Sequence, residues 1–118
     1  MIDHLSIGVT DLAKSKAFYE EALKPLGYQV KVEMEHGVCF GGDSGALWIV
    51  KNEPSKFHLA FGGQDRAIVD QFYQAAIKAG GTDNGAPGVR PHYHENYYGA
   101  FVYDPDGYNI EAVCHKAD

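Results

Sequence analysis

Two segments of the chain alternate apolar and polar residues and then change to a helical pattern. Every second residue of 4–9 is apolar, and this period of two predicts a half-buried strand. Apolar residues then recur at helical spacing over 12–23, after Asp11, whose short carboxylate is typical of a helix N-cap. Gly27 is expected to end this element. The first part of the chain therefore predicts a strand followed by a helix.

The same pattern returns in the second half of the chain. Residues 4–27 match residues 58–81 without a gap, and ten of the 24 aligned pairs are identical. One identical pair is His4 with His58, and both begin a predicted strand. A self-match of this length indicates a duplicated structural unit. We therefore predict a tandem duplication in which the two histidines occupy equivalent positions.

Short strand-like runs follow each predicted helix. They cover 28–33, 38–40 and 46–51 in the first half, and 98–103 and 108–114 in the second. The last two flank Asp104-Pro105-Asp106-Gly107, a turn sequence with proline placed to start it and glycine to finish it. The region 82–97 is irregular and has room for one short strand.

The repeating unit is thus β-α-β-β-β, and the fold class is α+β. Module one covers about 1–52 and module two about 56–115, with 51–56 as the link between them. We expect the two modules to form one domain over 1–118.

Composition and charge restrict the partners. A net charge of −6 argues against nucleic acid, whose phosphates require a basic patch. No apolar run approaches the roughly 18 residues that span a membrane, and no signal peptide is seen, so we expect a cytoplasmic protein. Cys39 and Cys114 are too few for a disulfide framework and are expected to be free thiols. The expected partner is a small molecule or a second copy of the chain.

A third residue is a candidate to join the two histidines. In the closing strand, Ile110, Ala112 and Cys114 share one face with the apolar helix-side set, so Glu111 points the other way. Burying an unpaired carboxylate costs several kcal/mol, and a metal with two imidazoles would satisfy it. The alternative is that both histidines are ordinary strand residues whose equivalence is only inherited.

The residues that carry this pattern also resemble a known family. The segments are Asp3–Asp11, Phe18-Tyr19, Phe57–Phe61 and Asp104–Glu111. They resemble the vicinal oxygen chelate superfamily, which includes glyoxalase I, extradiol dioxygenases, fosfomycin-resistance thiol transferases and bleomycin-binding proteins. The resemblance extends over essentially the whole chain.

The resemblance implies two paired modules that form a curved mixed sheet around a cavity. It implies one divalent ion, of Fe, Mn, Zn, Ni or Co, on His4, His58 and Glu111. It also implies a homodimer, with the modules paired within or between chains. Trp48 or Leu47 stands where glyoxalase I has a fourth ligand, which favours an open three-ligand centre. Trp48 is then either an apolar wall for substrate or a core tryptophan.

Further candidates surround these ligands. If Tyr103 pairs with Tyr108 across the turn, Tyr98 shares the face of Glu111 and is a hydrogen-bond donor to substrate. His94 or His92 is a candidate general acid–base, since imidazole titrates near neutral pH. The other proposed pocket residues are Trp48, Ser6, Arg90 and His92. The alternative for 90–98 is an exposed polar loop.

The leading hypothesis is a metal-dependent enzyme that acts on a small substrate with two neighbouring oxygens. Its reaction is either lyase or isomerase chemistry, or dioxygen insertion if the metal is iron. The alternative is a metal-free binding protein of the bleomycin-resistance kind. A fosfomycin-type transferase is a third hypothesis, for which Arg90 is almost the only cation at hand.

Overall fold

We describe a computed structural model of the chain that covers residues 3–43, 45–54 and 57–117. The first sheet contains β1 (His4–Val9), β2 (Gln29–Met34), β3 (Gly37–Gly41) and β4 (Ala46–Lys51). Its strand order is β1-β4-β3-β2, with β1 parallel to β4 and the other neighbours antiparallel. This arrangement leaves β1 at one edge.

The second sheet repeats this plan with two additional short strands. It contains β5 (His58–Gly62), β6 (Thr82–Asp83), β7 (Gly88–Val89), β8 (Tyr98–Tyr103) and β9 (Asn109–Cys114). The order is β5-β9-β8-β6, with β5 parallel to β9 and with β7 paired to β8. β5 is therefore an edge strand, as β1 is in the first sheet. The irregular region holds two short strands where one was expected.

One helix follows the first strand of each unit. α1 (Leu12–Ala22) begins at Asp11, which accepts from the backbone N–H of Lys14, and α2 (Arg66–Lys78) begins at Asp65 in the same way. The predicted N-cap at Asp11 is therefore confirmed, and Asp65, its counterpart in the repeat, has the same role. α1 ends earlier than expected because Pro25 introduces a short 3-10 helix over Lys24–Leu26.

The helices pack against one face of each sheet and against each other. The core between them comes from alternate strand residues and from one stripe of each helix. It includes Ile7, Val9, Phe18, Ala22, Phe40, Leu47, Ile49, Phe72, Ala76, Ala100, Val102, Ile110, Ala112 and Cys114. Ile110, Ala112 and Cys114 lie on the helix side as predicted, because the period of two within one strand is a local property.

The turn between β8 and β9 joins the two halves of the chain. The phenol of Tyr108 donates to the carbonyl of Gly8, and Asp106 accepts from the backbone N–H of Thr10. The phenol of Tyr19 in α1 donates to Asp104 over 2.6 Å. These contacts fix the end of β1 against the second unit.

The α+β class and the two strand–helix–sheet units agree with the sequence prediction, and the sheets remain two separate layers that do not close into a barrel. Of the predicted link over 51–56, residues 55 and 56 lie outside the described residues. Cys39 and Cys114 are both buried and free. No helix in the described ranges is long and apolar enough to cross a membrane.

Candidate functional site

Each sheet has a face that points away from the helices, and we call it the open face. In the first sheet the open face carries His4, Ser6, Cys39 and Trp48, as the strand registers show. In the second sheet it carries His58, Gly99, Phe101, Glu111 and Val113. All three predicted metal ligands therefore lie on open faces, two on the second sheet and one on the first.

His58 and Glu111 are in direct contact on the second sheet. The Nε2 atom of His58 lies 2.8 Å from Oε1 of Glu111, and its Nδ1 lies 2.9 Å from the carbonyl oxygen of Asn109. Because that carbonyl can only accept, Nδ1 is assigned as the donor of this hydrogen bond, and Nε2 is left facing Oε1 of Glu111. Glu111 is 1% exposed, whereas the side chain of His58 is 45% exposed. Within the pair, the histidine is therefore accessible to solvent and the carboxylate is buried.

Tyr97 completes the environment of this carboxylate. Its phenol donates a hydrogen bond to Oε2 of Glu111. Burial, followed by that hydrogen bond, raises the pKa of Tyr97, so the phenol remains a donor at neutral pH. A Cβ at residue 99 would lie 3.1 Å from Oε2, so Gly99 leaves room for the carboxylate. Both oxygens of Glu111 thus have partners within the chain.

His4 lies apart from this pair. Its Nδ1 atom is 2.9 Å from Asp3, and its side chain is 60% exposed. Across residues 3–43, 45–54 and 57–117, no three His, Cys, Asp or Glu side chains come close enough to hold one ion. The structure brings together two of the three predicted ligands and leaves His4 on the edge of the other sheet.

Tyr98 lies on the opposite face from the predicted one. We expected it to share the face of Glu111, but Phe101 is the residue paired with Glu111. Tyr98 instead donates to Asp70 of α2 over 2.6 Å, and this hydrogen bond raises its pKa to about 12. Tyr103 pairs with Asn109 because Tyr108 belongs to the turn, and a register shift of one residue exchanges the two faces of a strand.

The candidate acid–base histidines belong to a cluster of rings around Tyr97. His94 places Nε2 2.8 Å from Nδ1 of His115, and its ring packs edge-on against Tyr97. His92 packs against Tyr93, which contacts Tyr97 in turn. Both candidates are exposed, and Tyr97 is the member of the cluster that touches Glu111.

The two pocket candidates of the first sheet lie together. Ser6 and Trp48 are cross-strand neighbours on the open face, and Trp48 is half-buried there rather than in the helix-side core. The ring of Trp48 is therefore placed to form an apolar wall, which was one of its two predicted roles.

Arg90 lies over the open face of the second sheet. Its guanidinium carbon is 5.4 Å from the ring centre of Phe101, and that ring stacks with His58 at 6.1 Å. Nη1 donates to the carbonyl of Gly88 and Nη2 to that of Ala86, each over 2.8 Å. The cation is thus held by two hydrogen bonds, and Phe101 is its shared neighbour with His58.

Sequence reasoning missed three residues of this site, Tyr97, Gly99 and Phe101. Alternation along the chain could have found all three, because Gly99 and Phe101 lie two residues apart in β8 and Tyr97 continues this spacing into the preceding loop. To know which residues share the face of Glu111, one also needs the length of the turn between β8 and β9, and the turn sequence does not determine that length.

Comparison with known proteins agrees with this fold. Residues 1–112 match the family described as the Glyoxalase/Bleomycin resistance protein/Dioxygenase superfamily. A glyoxalase/bleomycin resistance protein from Albidiferax ferrireducens T118 is 31% identical, with a TM-score of 0.86 over 98% of this chain and 99% of that one. No curated protein sequence matches the chain significantly.

Two more distant structures share the fold. A family enzyme from Burkholderia phytofirmans PsJN is 18% identical, with a TM-score of 0.77 over 97% of this chain and 98% of that one. The lactoylglutathione lyase of Agrobacterium tumefaciens is 16% identical, with a TM-score of 0.76 over 97% and 92%. The chain belongs to the glyoxalase/bleomycin resistance protein/dioxygenase superfamily, whose members often bind a divalent metal.

Proposed function

We propose that the protein is a metal-dependent enzyme of the glyoxalase/dioxygenase-like group and acts on a small substrate with two neighbouring oxygens. The observation that carries this proposal is the contact of His58 with the buried Glu111 on an open sheet face. An imidazole nitrogen and a carboxylate oxygen 2.8 Å apart are close enough to be neighbouring ligands of one ion. A bound ion would supply Lewis-acid polarisation of the substrate oxygens.

The chain's own residues have separate parts in this proposal. The carbonyl of Asn109 fixes the ring of His58 so that Nε2 faces Glu111. Tyr97 holds the second carboxylate oxygen, which leaves Oε1 for the ion. Phe101 stacks with the ring of His58 and Tyr97 contacts Glu111, so both ligands have an aromatic neighbour.

We further propose a homodimer in which His4 of a second copy completes the centre. His4 is exposed at the start of β1, and both β1 and β5 are edge strands. An open face of one copy could therefore meet the open face of another. The fact that no described third ligand reaches His58 and Glu111 within one chain supports pairing between chains.

Metal titration tests the first proposal. Protein purified without chelator should contain one divalent ion per chain, and Mn, Fe, Co, Ni or Zn added to the stripped protein should raise its Tm. His58→Ala should abolish that rise because it removes the exposed ligand. His36→Ala is the matched control, since His36 is also exposed and its nearest charged partner is Glu35. Equal responses in both variants, or no response in the wild type, would reject the metal site.

Mixing two inactive variants tests the shared centre. His4→Ala and His58→Ala should each fail to bind metal. After they are unfolded together and refolded, half of the dimers pair one copy of each, and one of the two centres in such a dimer is intact. Metal binding should return to about a quarter of the wild-type level per chain. Complete absence of recovery would place all ligands within one chain.

One observation favours the alternative of a metal-free binding protein. Both oxygens of Glu111 already have donors, His58 and Tyr97, so the carboxylate needs no ion to be stable when buried. Under this alternative the aromatic open face would bind a small molecule directly. Elemental analysis separates the two functions.

A further inference from the structure

We propose that Arg90 is an anion-binding subsite, and that the ligand of this protein carries a carboxylate. This inference rests on the proposed function in one respect, namely that the remainder of the ligand binds at His58 and Glu111. The contact with Arg90 itself requires no metal.

The loop before β8 is built around the guanidinium group of Arg90. A Cβ at Gly88 would lie 3.0 Å from Nη1, and one at Gly85 would lie 3.1 Å from Nη2. Side chains at these positions would crowd the guanidinium nitrogens, so the two glycines form a cradle for the group. The carbonyls of Ala86 and Gly88 then hold it in place. The side chain is therefore fixed before any ligand arrives, which lowers the entropy cost of binding.

The charge of Arg90 has no counter-ion in the described residues. Its two protein hydrogen bonds go to neutral carbonyls, and no carboxylate of the described ranges lies within ion-pair distance. The chain has 16 acidic and 10 basic residues, so carboxylates are plentiful elsewhere. Three of the five guanidinium N–H groups make no hydrogen bond to described residues. A planar cation with donors to spare matches a carboxylate.

The position of Arg90 ties this charge to the candidate centre. The ring of Phe101 contacts both the guanidinium of Arg90 and the imidazole of His58. A ligand whose oxygens reach His58 and Glu111 would therefore need only a short extension to bring a carboxylate to Arg90. Binding there would favour anionic ligands over neutral ones of the same shape.

Arg66 offers an internal control. It is the other arginine of the chain, and its guanidinium lies 5.0 Å from the ring centre of Tyr98, on the helix side of the sheet. Its Nε atom is buried. The two arginines thus share the same kind of ring contact, but only Arg90 lies over the open face.

The test is an NMR titration of the two arginine Nε–H signals with benzoate and with benzamide, its neutral isostere, after bound metal has been removed on a chelating resin so that no other carboxylate is in solution. Arg90→Lys assigns the signals. Benzoate should shift the Arg90 signal saturably and bind about tenfold more tightly than benzamide, because its hydrogen bonds are charge-assisted. The Arg66 signal should stay unchanged. Arg90→Gln should lose the preference for benzoate, and Arg66→Gln should keep it.

Parallel, non-saturating shifts of both signals, or equal responses to both compounds, would overturn the proposal. The wild-type titration distinguishes these outcomes even if Arg90→Gln disturbs its loop. Saturable benzoate binding in a protein that binds no metal would retain the anion subsite and reject the metal enzyme. Metal binding without any benzoate response would retain the metal centre and reject the subsite.

Discussion

Replacing Tyr97 by phenylalanine removes the one donor that the chain supplies to Oε2 of Glu111 in the described structure, while it keeps the aromatic ring. Glu111 is 1% exposed in the native chain, and in the variant its carboxylate would be paired only with His58 through its other oxygen. The substitution therefore isolates one hydrogen bond to a buried charge. It also tests whether Glu111 depends on its surroundings to stay in position.

The size of the effect follows from the burial of the two partners. A hydrogen bond to a charged group contributes about 1.5–3 kcal/mol, and the full cost applies when the acceptor is left without a partner. Tyr97 is only half-buried, so water can replace part of the lost bond. We expect Tyr97→Phe to lower the free energy of unfolding by about 1.5–2 kcal/mol. If an ion binds as proposed, the affinity of the protein for it should fall at least about tenfold, because the metal ligand Glu111 would lose the phenol that orients it.

Urea unfolding followed by far-UV circular dichroism measures the first quantity, and titration of the stripped protein with Co²⁺ measures the second. Tyr93→Phe is the matched control. Tyr93 belongs to the same ring cluster, 4.8 Å from Tyr97, and is 59% exposed. Its loss of a hydroxyl should change stability by no more than about 0.5 kcal/mol.

The reasoning is refuted if Tyr97→Phe is as stable as Tyr93→Phe. A loss of stability with no change in Co²⁺ affinity would refute only the part that concerns the metal. In that outcome Tyr97 stabilises the fold, and Glu111 reaches its position without help.

Two further predictions concern the fold. Burial raises the pKa of Asp104 above the ordinary 3.8, so the folded state holds its proton more tightly than the unfolded state does. The contribution of Asp104 to the free energy of unfolding should therefore fall as pH rises from its unfolded pKa through its folded pKa. Asp104→Asn should remove this pH dependence, measured by urea unfolding between about pH 3 and pH 7. A methyl at Gly81 would lie 2.8 Å from both the carbonyl oxygen of Ala76 and the ring of Phe18. Gly81→Ala should cost about 1–3 kcal/mol in the same assay, whereas Gly62→Ala, which meets nothing within 4 Å, should change stability by less than about 0.5 kcal/mol.

Local patterns predicted those parts of the site that depend on one element. Alternation within the last strand is enough to place Glu111 away from the helices, and the self-match is enough to show that His4 and His58 begin equivalent strands. The helix N-caps at Asp11 and Asp65 are equally local, because each carboxylate accepts from an N–H three residues ahead.

The parts that depend on how elements meet could not be predicted in this way. Tyr97, not Tyr98, touches Glu111 because Tyr108 extends the turn by one residue, and its buried ring packs between the two halves. Nothing in the alternation of β8 reveals that length. The separation of His4 from His58 depends likewise on the packing of the helices between the modules.

The turn that joins β8 to β9 also bears on whether either half of the duplication can exist alone. Its Asp106 accepts from the backbone of Thr10, its Asp104 accepts from Tyr19, and Tyr108 donates to the carbonyl of Gly8. A separated first half would lose these partners, and a separated second half would expose the carboxylates and the phenol that supply them. In the present chain the two halves are expected to unfold in one cooperative step, and fragments split at the link should recover the fold only when they are produced together.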